Sequence, residues 1–239
     1  MATALKGVLL GLVQGITEFL PISSSGHLVI FRTLLGSGAD AFNEIAFLHI
    51  ATLLAVFVYF RKDLLKLIVN FFRKSGRIER KIVLFLIIAS IPAGVVGLFF
   101  KDFIDILFER TSVWLSVFFI INSAVLITSD IKKTGSKELN AFSSFIIGMF
   151  QAVSILPGVS RSGSTISAGI FSGVDRKFAV KFSFYMSIPA ILLGNIFFSS
   201  FGVSHLTTAN VLAFAAAFFS GLLAIRFLIA VVEKANLKF

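Results

Sequence analysis

The chain has 239 residues, 57% of them hydrophobic and 14% charged, with a mean hydropathy of +0.97 and a net charge of +10. That charge density is too low to cover the surface of a soluble domain of this size, so the sequence reads as one polytopic membrane domain over 1–239. The absence of cysteine excludes disulfides, thiolate metal sites and cysteine nucleophiles.

Apolar runs near the bilayer-spanning length of about 20 residues fall at roughly 41–60, 82–100, 112–129, 178–200 and 209–231. The first apolar run, 3–20, leads straight into a polar stretch and lacks an A-x-A-like site, so no cleavable signal peptide is expected. Pro21 and Ser23-Ser24-Ser25-Gly26 break it, and 24–35 is a second short helical candidate. Segment 61–81 reads as a loop with eight basic residues (Arg61, Lys62, Lys66, Arg73, Lys74, Arg77, Arg80 and Lys81) against Asp63 and Glu79. Basic residues packed between two spans place that loop in the cytoplasm, with anionic lipid headgroups as its natural partners. This placement, rather than a basic groove or stripe, argues against nucleic acid as a partner.

With 61–81 inside, loop 101–111 lies outside and loop 130–140 inside. Every later basic cluster stays inside only if 141–173 enters and leaves on one side. That predicts a re-entrant helix–loop–helix at 141–173 and, by the same count, one entering from outside at 3–36. The expected architecture is all-α, with inverted repeats at about 1–100 and 141–231 joined by a linking span at 112–129. Broken helices that meet inside such a fold are one way to build a buried polar site.

Two segments supply the polar groups. Gly11-Leu12-Val13-Gln14-Gly15-Ile16-Thr17-Glu18-Phe19-Leu20-Pro21-Ile22-Ser23-Ser24-Ser25-Gly26-His27 is matched by Gly148-Met149-Phe150-Gln151-Ala152-Val153-Ser154-Ile155-Leu156-Pro157-Gly158-Val159-Ser160-Arg161-Ser162-Gly163-Ser164-Thr165. In the second, serines and glycines lead into an apolar helix, and free N–H groups at a helix start bind phosphate. Arg161 adds a permanent planar charge suited to phosphate. Packing alone explains the small residues but not an arginine in an apolar setting. In the first, Gln14 and Glu18 share a helix face at i, i+4 and offer oxygens to a hard cation such as Mg²⁺ or Ca²⁺. Glu18 could instead act as a general base. Ser24 and His27 follow the break, with His27 near enough in sequence to serve as the base for Ser24. His49 and Glu44 could also line the cavity, although Glu44 could equally sit at the outer interface. His205 and the acidic run Asp102, Asp105 and Glu109 read as solvated, and Arg226 as a residue snorkelling at a span end.

Together the two motifs resemble the signature of the undecaprenyl-diphosphate phosphatase family, the bacitracin-resistance type of integral membrane enzyme. Asn43 to Phe60 is similar to that family's first full span. The resemblance implies interlocked inverted repeats, an active site opening to the outer side of the plasma membrane, and divalent-cation-dependent hydrolysis of a polyprenyl diphosphate to the monophosphate. It maps the family's acid pair to Gln14 and Glu18, with Gln14 in place of a second carboxylate. It maps the histidine to His27, the first-motif serine to Ser24, and the phosphate-binding group to Ser160, Arg161 and Thr165. Ser23 and Ser162 complete the expected substrate contacts. Members of the family often continue past the position of Phe239 with another apolar helix. The nucleophile is left open among His27, Ser24 and water, and the oligomeric state is left open, with a homodimer one option. The rival reading is a lipid-phosphate flippase or anion transporter built on the same polar centre.

Overall fold

A computed structural model describes residues 2–36, 41–100, 111–132, 135–198 and 207–235. These form ten helices: α1 (Ala2–Phe19), α2 (Ser24–Leu35), α3 (Ala41–Tyr59), α4 (Arg61–Phe71), α5 (Arg77–Phe99), α6 (Thr111–Ile131), α7 (Ala141–Val153), α8 (Arg161–Phe171), α9 (Arg176–Phe198) and α10 (Thr208–Ala235). Four of them are long and apolar enough to cross a membrane, over Arg77–Phe99, Val113–Ile131, Arg176–Ile196 and Thr208–Val232. The described part is therefore an all-helical polytopic membrane protein. Asp102, Asp105, Glu109, His205 and the side chain of Glu44 lie outside the described residues.

One expectation changes. The basic segment after α3 is not a loop throughout, because its first half folds as α4. Its apolar residues recur at helical spacing between the charges, a pattern that charge counting alone hides.

Helix α1 is held by close approach rather than by bulky side chains. Gly11 and Gly15 face α10, where a methyl group would run into the Ala213 carbonyl and into Ser220 respectively. Small residues let two backbones meet where lipid supplies no hydrophobic drive to hold them together. At its far end α1 is anchored by Phe19, which is fully buried and packs edge-on against Phe184 at 5.6 Å. Phe19 joins Val56, Phe60, Ile166, Ile170, Phe184 and Ile225 in a core drawn from α1, α3, α8, α9 and α10. A second cluster, Ala89, Ile147, Ala168, Phe182 and Met186, seats α7 and α8 on α5 and α9. The ends of α1 and α8 thus meet over a packed base, with little freedom to drift.

Candidate active site

Both helix breaks end in the same local device. Ser23 caps α2 and accepts a hydrogen bond from the Gly26 N–H, and Ser160 caps α8 and accepts from the Gly163 N–H. In each case a second serine lies two residues on and shares the cap hydroxyl, Ser25 at 3.3 Å and Ser162 at 3.1 Å. Serine suits the cap because its oxygen satisfies one of the free N–H groups at the helix start. Ser24 and Arg161 are then the first residues of their helices.

These two residues meet on one carboxylate. Arg161 Nη2 lies 2.7 Å from Glu18 Oε1, an ion pair across 143 positions of sequence. The Ser24 hydroxyl donates to Glu18 Oε2 at 2.7 Å. Gln14 Nε2 donates to the same oxygen at 3.1 Å, and His49 Nε2 stands 3.4 Å from it. The Glu18 side chain is 5% exposed, Arg161 14% and His49 23%. A buried carboxylate is tolerable only when it is paired and hydrogen-bonded, and this one is ringed by donors. The second guanidinium nitrogen, Nη1, donates to the Ser183 carbonyl on α9 at 3.1 Å.

The expected residues are therefore brought together, with different neighbours from those their spacing suggests. The group beside the Ser24 hydroxyl is Glu18, not His27. The His27 ring turns back one helical turn, with Nδ1 2.8 Å from the Ser23 carbonyl and its face edge-on to Phe119. A carbonyl only accepts, so Nδ1 carries the hydrogen, and in the neutral ring the lone pair is on Nε2. Thr165 donates to the Arg161 carbonyl at 2.8 Å and shares a 2.7 Å hydrogen bond with Ser183. Ser162 donates to the Leu20 carbonyl at 3.1 Å, which ties the second break to the first.

Three residues of the site lie outside both motifs. His49 faces Glu18 from α3. Ser183 braces Arg161 and Thr165 from α9. Asn122, buried on α6, spans the two breaks: its amide nitrogen donates to the Pro21 carbonyl at 3.1 Å and its oxygen accepts the Ser160 N–H at 3.0 Å. The sequence signal for Asn122 is a lone amide inside an apolar span, where a polar group needs partners.

The donor set decides how a divalent cation would fit. Among the described residues no group of three His, Cys, Asp or Glu side chains is arranged to hold a metal ion. Gln14 is fully buried, and its Oε1 has no hydrogen-bond partner among the described residues. An orphaned carbonyl oxygen beside a carboxylate suits a hard cation that takes its remaining ligands from phosphate or water. The residues fit such an ion as a partial ligand set.

The fold and this centre define a class: an all-helical membrane protein in which a hydroxyl and a guanidinium at the starts of two capped helices, with one imidazole, gather on a buried carboxylate. Residues 7–239 match the family described as Bacitracin resistance protein BacA, and the chain belongs to that family. Relatives named undecaprenyl-diphosphatase include one from Methanococcus vannielii, 40% identical over 239 residues that cover 98% of this chain and 94% of the relative. One from Alkaliphilus metalliredigens is 38% identical, with 98% and 92% covered, and one from Methanobrevibacter smithii is 37% identical, with 98% and 91% covered.

Proposed function

We propose that this protein hydrolyses undecaprenyl diphosphate, or a closely similar polyprenyl diphosphate, to the lipid monophosphate and inorganic phosphate. The observation that carries the reading is the Arg161–Glu18 contact, which joins the end of α1 in the first motif to the start of α8 in the second. Helix starts offer free N–H groups and the positive end of the helix dipole, and the guanidinium adds a full charge. The diphosphate binds at Arg161 and the first turn of α8, with the hydroxyls of Ser23, Ser160, Ser162 and Thr165 shaping the cradle. The prenyl chain stays among the apolar helices.

In this reading Ser24 attacks the terminal phosphorus. Its hydroxyl already donates to Glu18, so the serine proton passes to that carboxylate as the Oγ–phosphorus bond forms. The anhydride P–O bond breaks and the lipid monophosphate leaves, its developing charge offset by Arg161. Water then attacks the phosphoserine, giving its proton to His27 Nε2. Phosphate departs as the Ser24 oxygen recovers a proton from Glu18. Glu18 and the Gln14 oxygen would hold a divalent cation, Mg²⁺ or Ca²⁺, which supplies charge neutralisation at the phosphate oxygens. A second reading has the neutral His27 ring attack through Nε2, favoured by the hydrogen bond that gives Nδ1 the ring's hydrogen.

The short helices support the inverted-repeat arrangement within this reading. Helices α2, α7 and α8 have 12, 13 and 11 residues, well below the about 20 needed to cross. Each of the two units enters the bilayer and returns on its own side. The distribution of basic residues supports an outward-facing centre in the plasma membrane.

Phosphate released from undecaprenyl diphosphate by the detergent-purified protein, with and without EDTA, tests the reading. No sealed compartment exists in detergent, so a flippase would bind the lipid and release nothing. Trapping labelled phosphate on the protein distinguishes the nucleophiles: an acid-stable adduct marks Ser24, and an acid-labile, base-stable adduct marks His27.

A further inference from the structure

Helix α4 contains no buried residue, yet it is fixed at both ends. Asp63 pairs with Lys181 on α9 at 2.9 Å. At the other end Asn70 donates to Glu79 at 2.8 Å, and the Arg80 guanidinium donates to the carbonyls of Phe71, Arg73 and Lys74. Leu64 packs against the core, with Leu67 and Phe71 half-buried on the same side. The remaining apolar residues point away from the protein: Leu65 is 60% exposed, Ile68 58%, Val69 47% and Phe72 82%. Their i, i+3, i+4, i+7 spacing makes one stripe. Lys62, Lys66 and Arg73 are exposed along one edge of that stripe.

Both carboxylates of this segment, Asp63 and Glu79, are engaged by partners within the chain. The outward field is therefore positive beside an apolar strip. A second copy of the chain would bring like charges together across the strip, so it is a poor occupant. A cavity of about 480 Å³, bordered by Tyr59, Arg61, Lys62 and Leu222, opens beside the first turn of the helix.

We propose that α4 is an interfacial helix: its stripe of Leu65, Ile68, Val69 and Phe72 sinks into the acyl–headgroup boundary while Lys62, Lys66 and Arg73 bind the phosphates of anionic phospholipids. Long basic side chains reach headgroups while their stems cover apolar surface. The helix joins the ends of α3 and α5, so it runs along the bilayer surface between two membrane-entering segments.

The cysteine-free chain allows a direct test. Single substitutions Leu65→Cys, Phe72→Cys and Ser75→Cys each carry a fluorophore, and the intact protein is reconstituted in phosphatidylcholine vesicles with rising phosphatidylglycerol. Doxyl-labelled lipid should quench the probes at 65 and 72 about threefold more than the probe at 75, as for side chains seated in the headgroup boundary. The difference should grow with the phosphatidylglycerol fraction. Combined Lys62→Gln, Lys66→Gln and Arg73→Gln should remove the dependence on anionic lipid and leave helix content unchanged. Equal quenching at all three positions, or quenching indifferent to lipid charge, would overturn the proposal. So would disulfide cross-linking of Phe72→Cys between copies, which would assign the stripe to self-association.

Discussion

At the first break Ser23 caps α2 with φ +66°, a left-handed conformation that a residue with a Cβ seldom adopts. At the second, Ser160 caps α8 with φ −79°, and the left-handed turn falls two residues earlier on Gly158, φ +99°. The same Ser-x-x-Gly cap is thus reached with strain in one unit and without it in the other. The strained cap is the one followed by Ser24 and His27, and the relaxed cap is the one followed by Arg161. Backbone strain persists where surrounding structure over-determines it. Here Asn122 holds the Pro21 carbonyl ahead of the strained turn. The comparison teaches that one capping device aims two kinds of chemistry at Glu18: a hydroxyl from one side and a cation from the other.

The largest expected effect comes from removing the cation. Arg161→Ala should lower phosphate release by roughly 10³-fold, the order found for loss of a charge-stabilising donor, and Arg161→Lys should recover only part of it because the Ser183 contact needs the fork. Ser24→Ala tests the opposite unit. Under serine attack it abolishes the acid-stable adduct and turnover together. Turnover within about tenfold of wild type would instead move the attack to His27 or water.

A smaller loss is expected at the bridge between the units. Asn122→Leu leaves the Ser160 N–H and the Pro21 carbonyl without partners, each at a cost of about 1–3 kcal/mol. Phosphate release should fall mainly through kcat, since the phosphate-binding groups remain. Asn122→Asp keeps the acceptor for Ser160 and should restore part of the rate. A change confined to melting temperature would show that the bridge serves stability alone. Gln14→Glu adds a second carboxylate beside Glu18 and should lower the cation concentration needed for half-maximal release. An unchanged cation titration would remove Gln14 from the cation site.

The smallest effects separate the two caps. Ser23→Gly relieves the left-handed serine and should leave the unfolding free energy unchanged or raise it slightly, by under about 1 kcal/mol. Ser160→Ala, where no strain is relieved, should cost about 1 kcal/mol of stability. Equal destabilisation by the two substitutions would mean that the strain at Ser23 is not felt.

Much of this was legible before any fold was known. The break after Pro21, the short helices on either side of it, the long apolar spans and the polar residues Glu18, Ser24 and Arg161 as the ones to watch all follow from local rules. Proline removes a donor, apolar length matches a bilayer, and an ionisable residue in an apolar setting needs partners. Helix α4 was hidden because its charges dominate the composition of the segment. His49 was read only as one residue that could line the cavity, and Asn122 and Ser183 were not assigned a place, because a single polar residue in an apolar helix does not say which neighbour it faces.

Sequence by itself therefore determined the membrane class, the ends of the broken helices and the residue types at the centre, since each depends on a few adjacent positions. Tertiary structure alone decided that Arg161 and Ser24 share one carboxylate, that His27 turns to Ser23 instead of to Ser24, and that Asn122 locks the two breaks. Those contacts depend on how closely α1 approaches α10 at Gly11 and Gly15 and on the Phe19–Phe184 packing beneath them. A hydrogen bond tolerates only a few tenths of an ångström, and over 143 residues only the packed core fixes distances that finely.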